Sequence, residues 1–224
     1  MTTTLKIDFV SDVSCPWCAV GLGALEQALA RIGSEVQADL HFQPFELNPH
    51  MPPEGQDISE HIAEKYGSTP EQMAQSRETI RQRGAEVGFE FRMADARRIY
   101  NTFDAHRLLH WAEEEGSGLQ PALKKRLLKA YFTEGQNPSD HRVLVKLAAD
   151  VGLDAVRAEE ILAGDDYVAE VRALERYYQQ QGISAVPAVV INDRHLISGG
   201  QPAAVFEQAL RQIAAGSDQV FATK

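Results

Sequence analysis

Two cysteines occur in the 224-residue chain, and they stand together as Cys15-Pro16-Trp17-Cys18. A secreted domain held by disulfides would use more cysteines at wider spacing, and a four-cysteine zinc site cannot be built from two. Two thiols three residues apart can close and reopen a disulfide, one attacking and the other resolving. The attacking form is the thiolate, and the free-cysteine pKa of about 8.5 falls where a helix N-terminus presents unpaired N–H groups and a positive dipole end. Cys15 is expected at such a helix start. Pro16 suits the first helical position, because it lacks the N–H that would be orphaned there. Cys15 is therefore expected to attack, as the more exposed and more acidic thiol. Cys18 is expected to resolve, shielded beneath Trp17, whose ring offers an apolar platform. The bland alternative is two small buried residues without chemistry. Asp12, three residues before Cys15, would oppose thiolate formation if it lay close.

The elements that must position this pair can be read on either side of it. Leu5 to Val10 alternates as a short buried strand, and Ser11 to Ser14 makes a turn. From Cys15 the spacing of Val20, Leu22, Leu25, Leu29 and Ile32 is helical, with Gly33 as the stop. Val36 to Phe45 alternates again, ending at Pro44. Strand, helix, strand over 45 residues is a parallel crossover unit, with the cysteines at its strand-to-helix turn.

From Ile58 to about Gln181 nearly every segment has helical spacing. Breaks are expected at Gly67 to Pro70, Gly84 to Gly88, Gly116 to Gly118, Gly135 to Pro138 and Gly164 to Asp166. About six helices follow, Ala94 to Glu115 the longest and Pro121 to Thr133 the next clearest. Some 120 residues exceed any loop, so residues 58–181 read as a helical subdomain inserted into a discontinuous α/β unit of residues 1–57 and 182–215. Strand signals return at Ala188 to Ile191, with Asn192-Asp193 as the turn of a hairpin to His195–Ser198. Pro202 to Ala215 closes the chain as a helix with Val205, Phe206, Leu210 and Ile213 inward, and residues 216–224 read as a flexible tail. Pro187 stands at the first strand position, where it need not donate to a ladder. Spacing alone would make it an ordinary trans proline.

These separated blocks resemble the DsbA-like branch of the thioredoxin superfamily, and in particular its FrnE-like cytoplasmic members. The resemblance rests on Phe9-Val10-Ser11-Asp12 before the CPWC, Phe45-Glu46-Leu47-Asn48-Pro49 after the second strand, and Asn101 to Leu108 in the insertion. Val186-Pro187 before the hairpin and Ile197-Ser198-Gly199-Gly200-Gln201-Pro202 before the last helix complete it. It implies an α/β thioredoxin fold with a large α-helical insertion and a thiol–disulfide oxidoreductase or isomerase working through a mixed disulfide at Cys15. It also implies a cis Val186-Pro187 bond facing the cysteines, with the Val186 backbone pairing a bound peptide. Kappa-class glutathione transferases and 2-hydroxychromene-2-carboxylate isomerases use the same architecture but typically carry serine where this chain has Cys15. The Phe45 to Asn48 loop matches a segment bordering their glutathione site. A glutathione-dependent isomerase or transferase acting on small electrophiles is therefore one alternative, and a peptide-binding chaperone is another.

Charge and composition narrow the partners. Lys plus Arg total 22 against 32 for Asp plus Glu, so the chain lacks the field that draws a protein to a phosphate backbone. No apolar run approaches the roughly 20 residues that span a bilayer. A cytoplasmic protein is expected, with neither nucleic acid nor membrane as partner. The expected partners are disulfide- or thiol-containing proteins or small molecules, with glutathione as redox partner or co-substrate, no tightly bound cofactor and no metal. The oligomeric state is open, a homodimer included. His106 and His110 are four apart on one predicted helical face, at metal-ligand spacing but without an accompanying acid. His106 is read either as facing the cleft or as helix packing. Lys124, Lys125, Arg126 and Lys129 read as a solvated basic face.

Overall fold

The computed structural model describes residues 2–52, 54–92, 98–116 and 118–216. Strand β1 (Thr3–Ser11) is central, with helix α1 (Pro16–Ile32) leading back to a parallel β2 (Val36–Pro44). The closing hairpin, β5 (Ala188–Ile191) and β6 (His195–Ser198), adds antiparallel on the other side of β1, so the strand order is β2-β1-β5-β6. Asn192, Asp193 and Arg194 turn the hairpin, with φ of 51° and 56° at the first two and the Arg194 amide donating to the Ile191 carbonyl at 3.1 Å.

Alternation along β1 sorts the layers. Leu5, Ile7 and Phe9 pack with α1 and with α9 (Ala203–Ala214), whereas Val10 packs on the opposite face with Phe45, Tyr178 and Ile183. This is an α/β thioredoxin-like fold with a helical insertion. The insertion follows β2 as α2 (Ile58–Tyr66), α3 (Pro70–Glu86), α4 (Phe103–Glu115), α5 (Leu119–Phe132), α6 (His141–Asp150), α7 (Ala155–Ala163) and α8 (Val168–Gln180). Its starts are written in side chains: Asp57, Asp140 and Asp154 accept from the first free amides of α2, α6 and α7, and Thr69 forms a capping box with Gln72. Val13, in the turn before the cysteines, is buried in the core of this helical block.

Several expectations need correction. Among the described residues seven helices lie between β2 and β5 rather than about six, because Val151 and Gly152 break α6 from α7. The helix expected from Ala94 begins at Phe103, where the Asn101 side chain accepts from the Phe103 amide, and Arg98–Ile99 instead pairs as β4 with Gln56–Asp57 (β3). Residues 94–97 and the tail beyond 216 lie outside the described residues. Val205 is only half-buried. The basic turn is not one solvated face: Lys125 and Lys129 are exposed, Arg126 is half-buried, and Lys124 is wholly buried.

Candidate active site

The turn between β1 and α1 is built around Asp12. Its carboxylate is buried, accepting the Ser14 amide at 3.1 Å and the Leu47 amide at 2.7 Å, while its carbonyl accepts the Cys15 amide at 3.3 Å. Burial pushes this carboxyl up, but His106 and the two amides outweigh it and hold it at about 2. The His106 Nε2 to Asp12 Oδ1 distance is 3.7 Å, an electrostatic contact rather than a hydrogen bond. One acid thus ties the cysteine turn to the loop after β2.

Cys15 is the N-cap of α1, with an extended backbone, and Pro16 follows at the first helical position. The Cys15 Sγ lies 3.7 Å from the carbonyl oxygen of Val186, which the chain places 171 residues away, and the Val186–Pro187 bond is cis. The Pro187 carbonyl accepts the Gly199 amide at 2.8 Å, fastening this segment to the turn before α9. Glycines let the pieces approach. A Cβ at Gly21 would stand 3.1 Å from Pro187 Cγ, and one at Gly200 would stand 3.0 Å from the Trp17 carbonyl. Cys15, Pro16, Trp17, Cys18, Val186 and Pro187 are brought to one place.

Cys15 is not the exposed thiol that its position suggests. It keeps 3% of its surface against none for Cys18, and both are free. Trp17 and Val186, each half-buried, pack against the cluster that holds the two sulfurs. The asymmetry is chemical: burial, and then the neighbouring Cys15, push the Cys18 thiol well above its ordinary value.

Asn48 and His106 take partners other than the sulfurs. Asn48 Oδ1 and the Leu47 carbonyl each accept from Lys65 Nζ at 2.8 Å, beside a cavity of about 430 Å³ lined by residues 47–52, Gln56, His61, Glu64 and Lys65. The neighbouring Tyr66 is exposed, and its phenol is raised by partial burial and by Cys15. His106 faces Asp12 within the core rather than an open cleft, and His110 packs on Tyr167. Behind the loop after β2, Arg172 pairs with the carboxylates of Glu46 and Glu175 and stacks 3.7 Å over the Phe103 ring.

Glu46 with Arg172, and Lys124, were missed as parts of this neighbourhood, whereas Asp12 was singled out for its place three residues before Cys15 but read only as opposing the thiolate. Lys124 left a trace: it stands three and four residues before Leu127 and Leu128 and seven before Tyr131, on the buried stripe of α5. Glu46 and Arg172 left none, since they lie 126 residues apart in the chain.

A C-x-x-C pair opening the first helix of a thioredoxin-like sheet, opposite an X–Pro segment before the third sheet strand, defines the thioredoxin class of thiol proteins. Comparison with known proteins refines this. Residues 6–211 match the DSBA-like thioredoxin domain, and the chain belongs to that family of thiol oxidoreductases. It is 30% identical over 208 residues to the uncharacterized protein YwbO of Bacillus subtilis (strain 168), spanning 92% of this chain and 96% of that one. The crystal structure of a probable DsbA oxidoreductase from Streptomyces coelicolor superposes with a TM-score of 0.88 at 34% identity, over 98% of this chain and 94% of the other. A 2-hydroxychromene-2-carboxylate isomerase shares the fold, with a TM-score of 0.69 at 13% identity over 94% and 97% of the two chains.

Proposed function

We propose that the protein is a thiol–disulfide oxidoreductase of the FrnE-like cytoplasmic kind, exchanging the Cys15–Cys18 pair with disulfides of proteins or small molecules. The observation that carries this reading is the placement of Cys15 as N-cap of α1 with its sulfur 3.7 Å from the Val186 carbonyl. In the reducing direction, the Cys15 thiolate attacks one sulfur of a substrate disulfide. A Cys15–substrate bond forms, the substrate S–S bond breaks, and the first substrate thiolate leaves. Cys18 then attacks the Cys15 sulfur, the mixed disulfide breaks, and the second substrate thiolate leaves. The two cysteines surrender two electrons and the substrate gains them, with the Cys18 proton passing to solvent or to a departing thiolate. Oxidation runs the same steps backward.

Its high pKa suits Cys18 to wait as a thiol until Cys15 carries the substrate sulfur. Val186, at the approach to β5, would lie along an extended peptide carrying the target sulfur. Glutathione is the small-molecule thiol that would reload the pair. A glutathione-dependent isomerase is the second reading, favoured by the fold shared with the chromene isomerase. In that reading the reacting thiolate belongs to glutathione and the protein only steadies it.

Insulin reduction and glutathione-dependent turnover of an electrophile, measured side by side, test the proposal. Wild type should reduce insulin, and Cys15→Ser should not. Electrophile turnover in Cys15→Ser at or above the wild-type level would instead establish the second reading.

A further inference from the structure

Lys124 is a lysine with no surface at all. Among the described residues its Nζ has no hydrogen-bond partner, and it lies 5.9 Å from the centroid of the Phe42 ring. The β2 backbone gives it nothing at this point. Gln120 takes both polar groups of Phe42, accepting its amide at 2.8 Å and donating to its carbonyl at 3.1 Å. A buried, unpartnered amine is costly unless something offsets it.

The titratable groups that face this amine are few. Those that act on it are Cys18 in the first turn of α1, Cys15 at its N-cap and Asp12 in the turn before, with His106 of α4 at 3.7 Å from the Asp12 carboxylate. Burial pulls the Lys124 amine down, and of the groups that pull it back up Cys18 acts most strongly, ahead of Asp12 and Cys15. In return Lys124 draws the Cys18 thiol down against its own burial. Leu128 and Tyr131, on the same stripe of α5, sit in the cluster that contains both cysteines.

We infer that Lys124, supplied by the helical insertion, is the positioning charge for the resolving step: its buried ammonium stabilises the Cys18 thiolate as Cys18 attacks the Cys15 mixed disulfide. The inference rests on the oxidoreductase reading and assigns one of its two half-reactions to a residue outside the C-x-x-C. Cys18–SH loses its proton to solvent, the Cys18–Cys15 bond forms, the bond from Cys15 to the substrate sulfur breaks, and the substrate thiolate departs with the electron pair. Lys124 keeps its own proton throughout and lowers the cost of the intermediate anion.

The aromatic disulfide 5,5′-dithiobis(2-nitrobenzoate) separates the two half-reactions. With reduced wild type, the first thionitrobenzoate is released at a rate proportional to reagent and the second at a rate independent of it. Cys18→Ala should stop after the first. Lys124→Met removes the charge and keeps the bulk. It should slow the second release at least about tenfold near neutral pH and move its pH limb upward by a unit or more, since an opposite charge nearby shifts an acid by roughly 1 to 3 units. The first release should lose much less. Lys124→Arg should recover part of the second rate, and Lys124→Gln serves if the methionine variant does not fold. An unchanged second release, with an unchanged pH limb, in a folded uncharged variant would overturn the role of Lys124 alone. A wild type with no second release would remove the oxidoreductase reading, and the role of Lys124 with it.

Discussion

The carboxylate of Asp12 accepts the backbone amide of Leu47 at 2.7 Å, joining the turn before the cysteines to the loop after β2 through one buried acid. Asp12→Ala would leave the Ser14 and Leu47 amides without their acceptor, which costs about 1 to 3 kcal/mol per buried donor. Chemical denaturation at neutral pH should show a loss of that order. Because the folded carboxyl is held at about 2, below its ordinary value of 3.8, its contribution is fully present above about pH 4 and disappears as pH falls through 2. Asp12→Asn should therefore lose stability less steeply than wild type between pH 4 and 2.

Cys15 should be alkylated before Cys18 although both are buried. The Cys18 thiol lies well above its ordinary value, through burial and the neighbouring Cys15, so near neutral pH it is almost wholly protonated and a poor nucleophile. Iodoacetamide labelling of the reduced protein followed by peptide mapping checks this. Faster labelling of Cys18 would exchange the two roles.

Cys18→Ala should accumulate mixed disulfides on Cys15, because no second thiol remains to release the bound sulfur. Mass spectrometry after exposure to oxidised glutathione should find an adduct on Cys15. Cys15→Ser should give no exchange, and an equally abundant adduct on Cys18 in that variant would contradict the assignment.

Gly200→Ala should damage exchange more than folding. The added Cβ would stand 3.0 Å from the Trp17 carbonyl, so the α1 start and the turn before α9 must move apart. Crowding of this kind costs roughly 1 to 3 kcal/mol. The Gly199 amide one residue earlier holds Pro187. Displacement therefore passes to Val186 and its contact with Cys15, and the first thionitrobenzoate release should slow in protein that remains folded by circular dichroism.

Arg172→Ala should destabilise the protein most at neutral pH and less in acid. Without the guanidinium, Glu46 and Glu175 face one another in the core, and burial already pushes Glu46 up. A carboxyl with a raised folded pKa favours the native state when protonated, so stability should return as the pH is lowered from 7 toward 5. The neutral-pH loss should fall below the roughly 3 to 5 kcal/mol of a fully buried pair, because Arg172 keeps some solvent contact. Melting temperatures across this range decide it.

How much of this could be read beforehand depends on how local the cause is. The β1–α1–β2 unit and the late hairpin were legible because alternation, the N-terminal Pro16 and the Asn192-Asp193 turn each act over a few residues. The two-residue pairing of Arg98–Ile99 with Gln56–Asp57 was not, since nothing in either dipeptide names the other. Lys124 was misread because three consecutive basic residues, with Lys129 shortly after, suggest solvent, although its spacing from Leu128 and Tyr131 placed it inward. The cysteines were read from their spacing and Pro187 from a family resemblance, but the burial of Cys15 depends on a cluster against which Trp17 and Val186 pack, which only the folded chain brings together.

The 171-residue separation of Cys15 from Val186 also sets an order of events during synthesis. The thiols emerge from the ribosome well before the strand that flanks β1 on its second side and the carbonyl that meets Cys15. At about 5 to 20 residues per second the nascent chain carries an unfinished sheet and two uncovered thiols for roughly ten to thirty seconds. Until the final hairpin docks, each new molecule is itself a candidate for the oxidants and disulfides around it.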